Sequence, residues 1–212
     1  MPEGAAAIVL AGGKSTRLGR DKAAELLLGV PLLQRVLDGL SGLAAERVVV
    51  RRAGQELPRL TTPGVVTLED AFPDSGPLGG VCTGLASIEA GTAIVVACDM
   101  PLLQPALLAA LLRLAGGVDA VVPLSDGLPQ TLCAVYARSC LPAMRDQIES
   151  GDYTLSHVLA KLRTRYLQPE EWRRFDAEGA SFHNVNREED LERVRAMLEA
   201  GAGAPPVFDS AP

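Results

Sequence analysis

The sequence predicts an α/β fold: a three-layer sandwich on a mainly parallel, Rossmann-like sheet. Three observations carry this expectation. Apolar β-branched runs alternate with stretches of helical period through most of the chain. Those runs are continuous rather than alternating, as in parallel strands covered on both faces. The first of them breaks into a glycine-rich basic loop, at the strand end where open parallel sheets bind ligands. At 212 residues and 48% hydrophobic, the chain can bury one full α/β core.

The first strand is Ala5 to Leu10. Pro31 opens a helix, and Leu32, Leu33, Val36, Leu37 and Leu40 form its apolar stripe. Arg47–Arg51 reads as the second strand, and Val65–Leu68, ending in Glu69-Asp70, as the third. Asp74 to Gly80 then leads into a helix bearing Leu85 and Ile88. Gly79 and Gly80 at its start either permit close approach by a ligand or only shape the turn. Ala93–Cys98 is the most strand-like run, stopped by Asp99-Met100-Pro101. An aspartate at that strand end is a candidate metal ligand. Leu107–Leu114 reads as an apolar helix; Asp119–Leu124 and Thr131–Tyr136 read as two strands joined by the turn Ser125-Asp126-Gly127. Helices follow at Cys140–Glu149 and Leu155–Leu162. Phe182–Asn186 reads as a short strand entering the last helix, Arg187–Ala200, buried through Leu191, Val194 and Leu198. Asn186 followed by Glu189 fits a capping box, which would give that asparagine a structural role. The segment from Ser125 onward is expected to add a mixed edge and a wall for a second substrate. With no internal repeat and no linker, the expectation is one domain over 1–200 and a disordered tail over 201–212.

Composition narrows the function. A net charge of −6 and a pI near 5.0 argue against nucleic acid or an anionic membrane as partner. No apolar stretch reaches the roughly 18 residues of a membrane span, and no basic region precedes the first strand, so the expected compartment is the cytoplasm. Cys82, Cys98, Cys133 and Cys140 lack metal or redox spacing and read as buried free thiols. His157 and His183 have no ligand spacing either, and His157 reads as an ordinary helix residue.

The loop after the first strand is the most informative stretch. From Gly12 to Lys22 it holds three glycines, two hydroxyls and four basic residues, including two of the chain's three lysines. Glycines let backbone amides form a concave anion nest, and Lys and Arg add full charge. The alternative is a solvated glycine turn. A P-loop is excluded because its first glycine would fall at Ile8, and the dinucleotide fingerprint because Lys14 sits where its second glycine belongs. What remains is Leu-Ala-Gly-Gly-x-Ser-x-Arg-x-Gly-x-Asp-Lys, from Leu10 to Lys22. This resembles the signature loop of small-molecule nucleotidyltransferases, most closely that of the molybdenum cofactor guanylyltransferase family. Further landmarks occur in the family's order: Glu69-Asp70, Gly76 to Gly80, Cys98 to Pro101, Pro129 to Tyr136, and Phe182 to Asn186. The chain departs from the family at Arg51, where asparagine is common, and at Asp152-Tyr153-Thr154, where paired arginines are common.

The resemblance implies a nucleotide-diphospho-sugar transferase-like fold. It implies transfer of GMP from GTP to the terminal phosphate of molybdopterin, and a protein that delivers this cofactor. Leu10, Ala11, Gly12 and Lys22 would contact GTP, with Gly13 and Gly79 in the same binding set, and Asp70 would help seat the nucleotide. Asp99 would hold Mg²⁺, and Asn184 and Asn186 would face the pterin. Gly12-Gly13 resembles the guanine-using branch rather than the cytidylyl-transferring one.

The chemistry is consistent with these residues. A phosphate monoester has its second pKa at about 6, so the attacking oxygen is already largely ionised at neutral pH and needs no general base. The difficulty is bringing two polyanions together, so catalysis is charge neutralisation and positioning. Arg17, Lys22 and a cation on Asp99 suit that work, and Mg²⁺ needs only one or two carboxylates beside phosphates and water. Two other readings stay open: a nucleotidyltransferase for another acceptor (cytidylyl transfer to molybdopterin, a sugar 1-phosphate or an isoprenoid precursor), and a non-catalytic nucleotide-binding regulator.

Overall fold

Strand β1 (Ala6–Leu10) is buried at every position, so both its faces and both its edges must be covered. A computed structural model describes residues 4–12 and 21–200; the loop residues Gly13 to Arg20 and the 201–212 tail lie outside the described residues. A 3₁₀ turn at Lys22–Ala24 leads into a hairpin of two-residue strands, β2 (Leu26–Leu27) and β3 (Val30–Pro31). Periodicity cannot reveal so short a hairpin. Its turn residues Leu28 and Gly29 have φ of 50° and 77°, a mirror-image turn that usually carries Asn-Gly. Helix α1 (Leu32–Gly39) follows, with Pro31 at its N-cap rather than in its first turn. The predicted stripe from Leu32 to Leu40 is fully buried. The Arg35 guanidinium donates two hydrogen bonds to the Leu27 carbonyl, tying the hairpin to the helix.

Strand β4 (Glu46–Arg51) lies beside β1, and β5 (Val65–Glu69) beside β4. The β5 run is not covered on both faces: it is an edge strand, with Val66 and Thr67 exposed. Helix α2 (Gly76–Ser87) returns the chain to β6 (Thr92–Ala97), on the other side of β1, and α3 (Pro105–Arg113) follows. Strand β7 (Ala120–Ser125) turns at Asp126-Gly127 into a two-residue strand β8 (Leu128–Pro129), so the expected single turn contains one more element. Strand β9 (Cys133–Ala137) and helices α4 (Leu141–Glu149) and α5 (Leu155–Leu159) form where expected, but β9 begins two residues late and α5 stops three residues before Leu162. Strand β10 (Thr164–Leu167) and helix α6 (Pro169–Trp172) were not legible, being only four residues each. The expected strand at Phe182–Asn186 does not form; a 3₁₀ turn at Ala180–Phe182 and irregular chain lead into α7 (Glu188–Glu199).

The eight-stranded sheet has the order β10-β7-β9-β6-β1-β4-β5, with β8 paired to β7. Strand β1 runs parallel to β4 and β6, whereas β9 runs antiparallel to β6 and β7, the mixed half expected after Ser125. Chain order therefore reverses at β1, and Leu10 pairs with Val50 on one side and Ala97 on the other. One face packs Ala7 and Val9 under α1 and α3; the other packs Ala6, Ile8 and Leu10 under α2, α4 and α5. Helix α7 rests on a smaller cluster with Leu27, Leu32, Leu102 and Val185. No described helix is long and apolar enough to cross a membrane. The four cysteines are free and buried, as expected.

Gly84 brings α2 onto β1: a Cβ there would lie 2.5 Å from the Ile8 Cγ2. Gly84→Ala should destabilise the fold by about 1–3 kcal/mol, the cost of overpacking a filled core. Urea denaturation checks this, and an unchanged midpoint would contradict so tight a contact.

Candidate active site

The reversal of strand order at β1 opens a crevice at the carboxyl ends of β1, β4 and β6. On the β4 side lies a cleft of about 520 Å³, lined by Leu10, Gly12, Arg51, Asp70, Gly76 and Gly80 among others. Two glycines allow this closeness. A Cβ on Gly12 would sit 3.0 Å from the Arg52 nitrogen, and one on Gly80 would sit 3.1 Å from a Leu10 methyl. Gly79 does not line the cleft. A Cβ there would meet the Phe72 carbonyl at 2.7 Å, so this glycine packs α2 against the preceding turn.

Asp70 is oriented by its neighbours. Its Oδ1 accepts from the Phe72 backbone N–H at 2.9 Å and from the Thr83 hydroxyl at 3.0 Å, and its own N–H donates to the Arg51 carbonyl. Arg51 holds Glu69 at 2.9 Å and also donates to the Gln55 carbonyl, which ties β4 to β5 at the cleft rim.

On the β6 side, three residues from distant parts of the chain meet. The Lys22 ammonium donates to Asp99 Oδ2 at 2.9 Å and to Asn186 Oδ1 at 2.6 Å. Both charged side chains are mostly shielded, 18% and 15% exposed. Lys22 is placed by its 3₁₀ turn: Asp21 Oδ1 accepts from the Ala23 N–H at 2.9 Å, and Ala23 is fully buried in the core. Asp99 is placed by β6, and its carbonyl accepts from the Val185 N–H at 2.8 Å. Asn186 is placed by that same segment.

Asn186 does not cap α7. The helix starts one residue later, and Asp190 Oδ2 accepts from the N–H groups of both Asn186 and Arg187 at 3.0 Å. The capping motif is therefore shifted by one from Asn186/Glu189 to Arg187/Asp190, which frees the Asn186 side chain for Lys22. Asn184 is exposed and does not join the cluster. The amides of Ala11 and Gly12 both donate to the Val50 carbonyl, so these two do not form an open anion nest. Gly13 and Arg17, the other predicted loop contributors, lie outside the described residues.

Gln55 was missed. It is 5% exposed, in the irregular segment between β4 and β5, and no sequence pattern marks it. Its side-chain N–H₂ donates to the Ala11 carbonyl at 3.0 Å and to Asp21 Oδ2 at 2.8 Å.

Asp99 Oδ1 has no partner among the described residues, while Oδ2 faces Lys22. One hard oxygen at a strand end fits what a divalent cation such as Mg²⁺ takes from a protein when phosphates and water supply the rest. No cluster of three or more His, Cys, Asp or Glu among the described residues could hold a metal by itself. Cys98, beside this junction, is no rival nucleophile: burial first, then nearby Asp99 and Asp21, push its thiol far up and keep it neutral.

Residues 7–166 match the model of the MobA-like NTP transferase domain. A probable molybdenum cofactor guanylyltransferase of Chloroflexus aggregans is 38% identical, over 90% of this chain and 93% of that one. The molybdenum cofactor guanylyltransferase of Desulfosudis oleivorans is 34% identical, over 92% and 96%. Among solved structures, molybdopterin-guanine dinucleotide biosynthesis protein A of Archaeoglobus fulgidus superposes with a TM-score of 0.77 at 28% identity, covering 92% of this chain and 99% of that one. A cytidylyltransferase of Thermus thermophilus (TM-score 0.72, 19% identity, covering 92% and 99%) shares the fold.

The shifted cap gives a test. Asn186→Ala should cost about 1.5 kcal/mol through its lost bond to Lys22 and nearly nothing in a Lys22→Met background, whereas Asp190→Ala, which strands two N–H groups, should cost about 1 kcal/mol in either. Melting curves of the two variants in both backgrounds compare them directly. A loss at Asn186 that persists in the Lys22→Met background would restore its capping role.

Proposed function

The chain belongs to the MobA-like NTP transferase family, and from that premise we propose that it transfers GMP from GTP to the terminal phosphate of the molybdenum-molybdopterin cofactor. The observation that carries the mechanism is the Lys22 junction, where one ammonium touches Asp99 and Asn186 just beyond the end of β6. The terminal phosphate oxygen of the acceptor attacks the α-phosphorus of GTP. A new oxygen–phosphorus bond forms, the bond to the bridging α–β oxygen breaks, and pyrophosphate leaves with its electron pair.

No side chain has to remove a proton, because the attacking phosphate is already ionised. The cleft between Leu10, Gly12 and Asp70 receives the nucleoside, and the acceptor lies toward Asn184 and Asn186. Lys22 stands between the two and stabilises the charge on the transferring group, and Asn186 keeps its ammonium aimed there. Nucleotidyltransferases in general use a divalent cation; Asp99 would hold Mg²⁺, which when bound neutralises triphosphate charge. Without an anion present, Lys22 compensates the Asp99 carboxylate, so the site stores no unpaired charge before substrate arrives. A protein that delivers the cofactor belongs to the same proposal.

Lys22→Ala should lower kcat by roughly 10²–10³-fold, as for losing one preorganised donor to developing charge. Steady-state pyrophosphate release measures it, and a near wild-type rate would remove Lys22 from the mechanism. Asp99→Asn should lower Mg²⁺-dependent turnover by at least roughly 10²-fold while metal-free GTP binding holds or tightens, because Lys22 is released toward the phosphates. An unaltered Mg²⁺ activation curve would refute the metal assignment.

A further inference from the structure

We propose that Gln55 is a positioning residue for nucleotidyl transfer, pinning both ends of the signature loop and so setting where Lys22 stands; this rests on the reading above. Gln55 does not line the cleft, so it acts through other groups rather than on the nucleotide. Its two side-chain N–H bonds go to the Ala11 carbonyl and Asp21 Oδ2, and its carbonyl oxygen accepts from the Arg52 N–H at 3.0 Å. Ala11 precedes residues 13–20 and Asp21 follows them, so one planar amide spans the entry and the exit of the loop.

The exit contact reaches the reacting centre in few steps. Asp21 uses Oδ2 for Gln55 and Oδ1 for the Ala23 N–H. Turning that carboxylate turns the 3₁₀ turn that carries Lys22. Lys22 in turn meets Asp99 and Asn186. Gln55 is itself held from behind: its N–H donates to the Arg52 carbonyl at 3.1 Å, and its own carbonyl accepts from Arg51, which Glu69 anchors. A continuous chain of polar contacts thus runs from the edge strand β5 to the end of β6.

The residue type fits this task closely. Glutamate would set a second carboxylate against Asp21 and an oxygen against the Ala11 carbonyl. Asparagine is one methylene shorter, and methionine fills the space with no donor. Gln55→Met and Gln55→Glu therefore break the pins while keeping the volume.

The test measures kcat, KM for GTP and melting temperature, together with amide hydrogen exchange at Gly12 and Ala23, in the full chain. Both variants should lose about 10²-fold in kcat, the scale of an ångström-level misplacement. KM should change by less than about tenfold, since the cleft contacts remain. Exchange should accelerate at both amides and stay unchanged at Val9 and Val96. Adding Asp21→Asn to Gln55→Glu restores one of the two donor contacts with reversed polarity and should recover about tenfold, half the loss on a logarithmic scale. A variant with wild-type kcat and only a lower melting temperature would overturn the proposal, as would faster exchange at one end alone. If Gln55→Met fails to fold, the Gln55→Glu pair decides. If the unaltered chain transfers no GMP, the functional reading has failed, and the exchange data still decide whether the amide pins the loop.

Discussion

A single ammonium group carries the logic of this site. Lys22, Asp99 and Asn186 are brought together from the loop after β1, the end of β6 and the chain entering α7. Each charge in the junction is mostly removed from water, so each depends on the other. A reaction that joins two phosphorylated anions needs positive charge at a defined point, and that charge must be balanced before they arrive. In the proposed transfer, the Lys22–Asp99 pair would meet both demands with two side chains.

The sheet exists in a form that makes the junction possible. With β1 flanked by parallel β4 and β6, three carboxyl ends converge at one place, and the chain order reverses there. Small residues allow close approach there, Gly12 against Arg52 and Gly80 against Leu10, while Gly84 against Ile8 does the same at the middle of β1. The antiparallel β9 then carries the sheet away from the site. Segment 176–186 closes the other side. Asp176 accepts from the N–H groups of Ala180 and Ser181 at 2.8 Å, and the Ser181 hydroxyl accepts from the Gln104 N–H at 2.9 Å.

The long apolar strands were legible because burial on both faces leaves continuous runs, as in β1, β4 and β6. β5 shows the opposite case: Val65-Val66 has the same composition, yet the strand lies at the edge, because position in a sheet is a tertiary property. The two-residue hairpin at Leu26–Pro31 carries no periodicity, and Leu28 in the left-handed region is not a turn signal. Val185 looked like part of a strand because it is buried, but its N–H is satisfied by the Asp99 carbonyl rather than by a neighbouring strand. Of the candidate site, Lys22, Asp99 and Asn186 could be named from motif positions, and Asp70 and Leu10, named as nucleotide contacts, line the cleft. That Lys22 bonds directly to both of the others could not be read, since 77 and 164 residues separate them from it. Gln55 was invisible for a related reason: a buried amide in an irregular loop is distinguished only by what surrounds it.

In the proposed reaction, the nucleotide's α-phosphate ends on the pterin phosphate. The direct measurement incubates the full chain with Mg²⁺, molybdopterin cofactor and GTP labelled at the α-phosphorus, then follows the label and the pyrophosphate together. Label should enter a pterin–guanine dinucleotide, one pyrophosphate should appear per dinucleotide, and labelled CTP or ATP should be a poor donor. Label recovered only in GTP or free GMP, or transferred equally well from CTP, would contradict it.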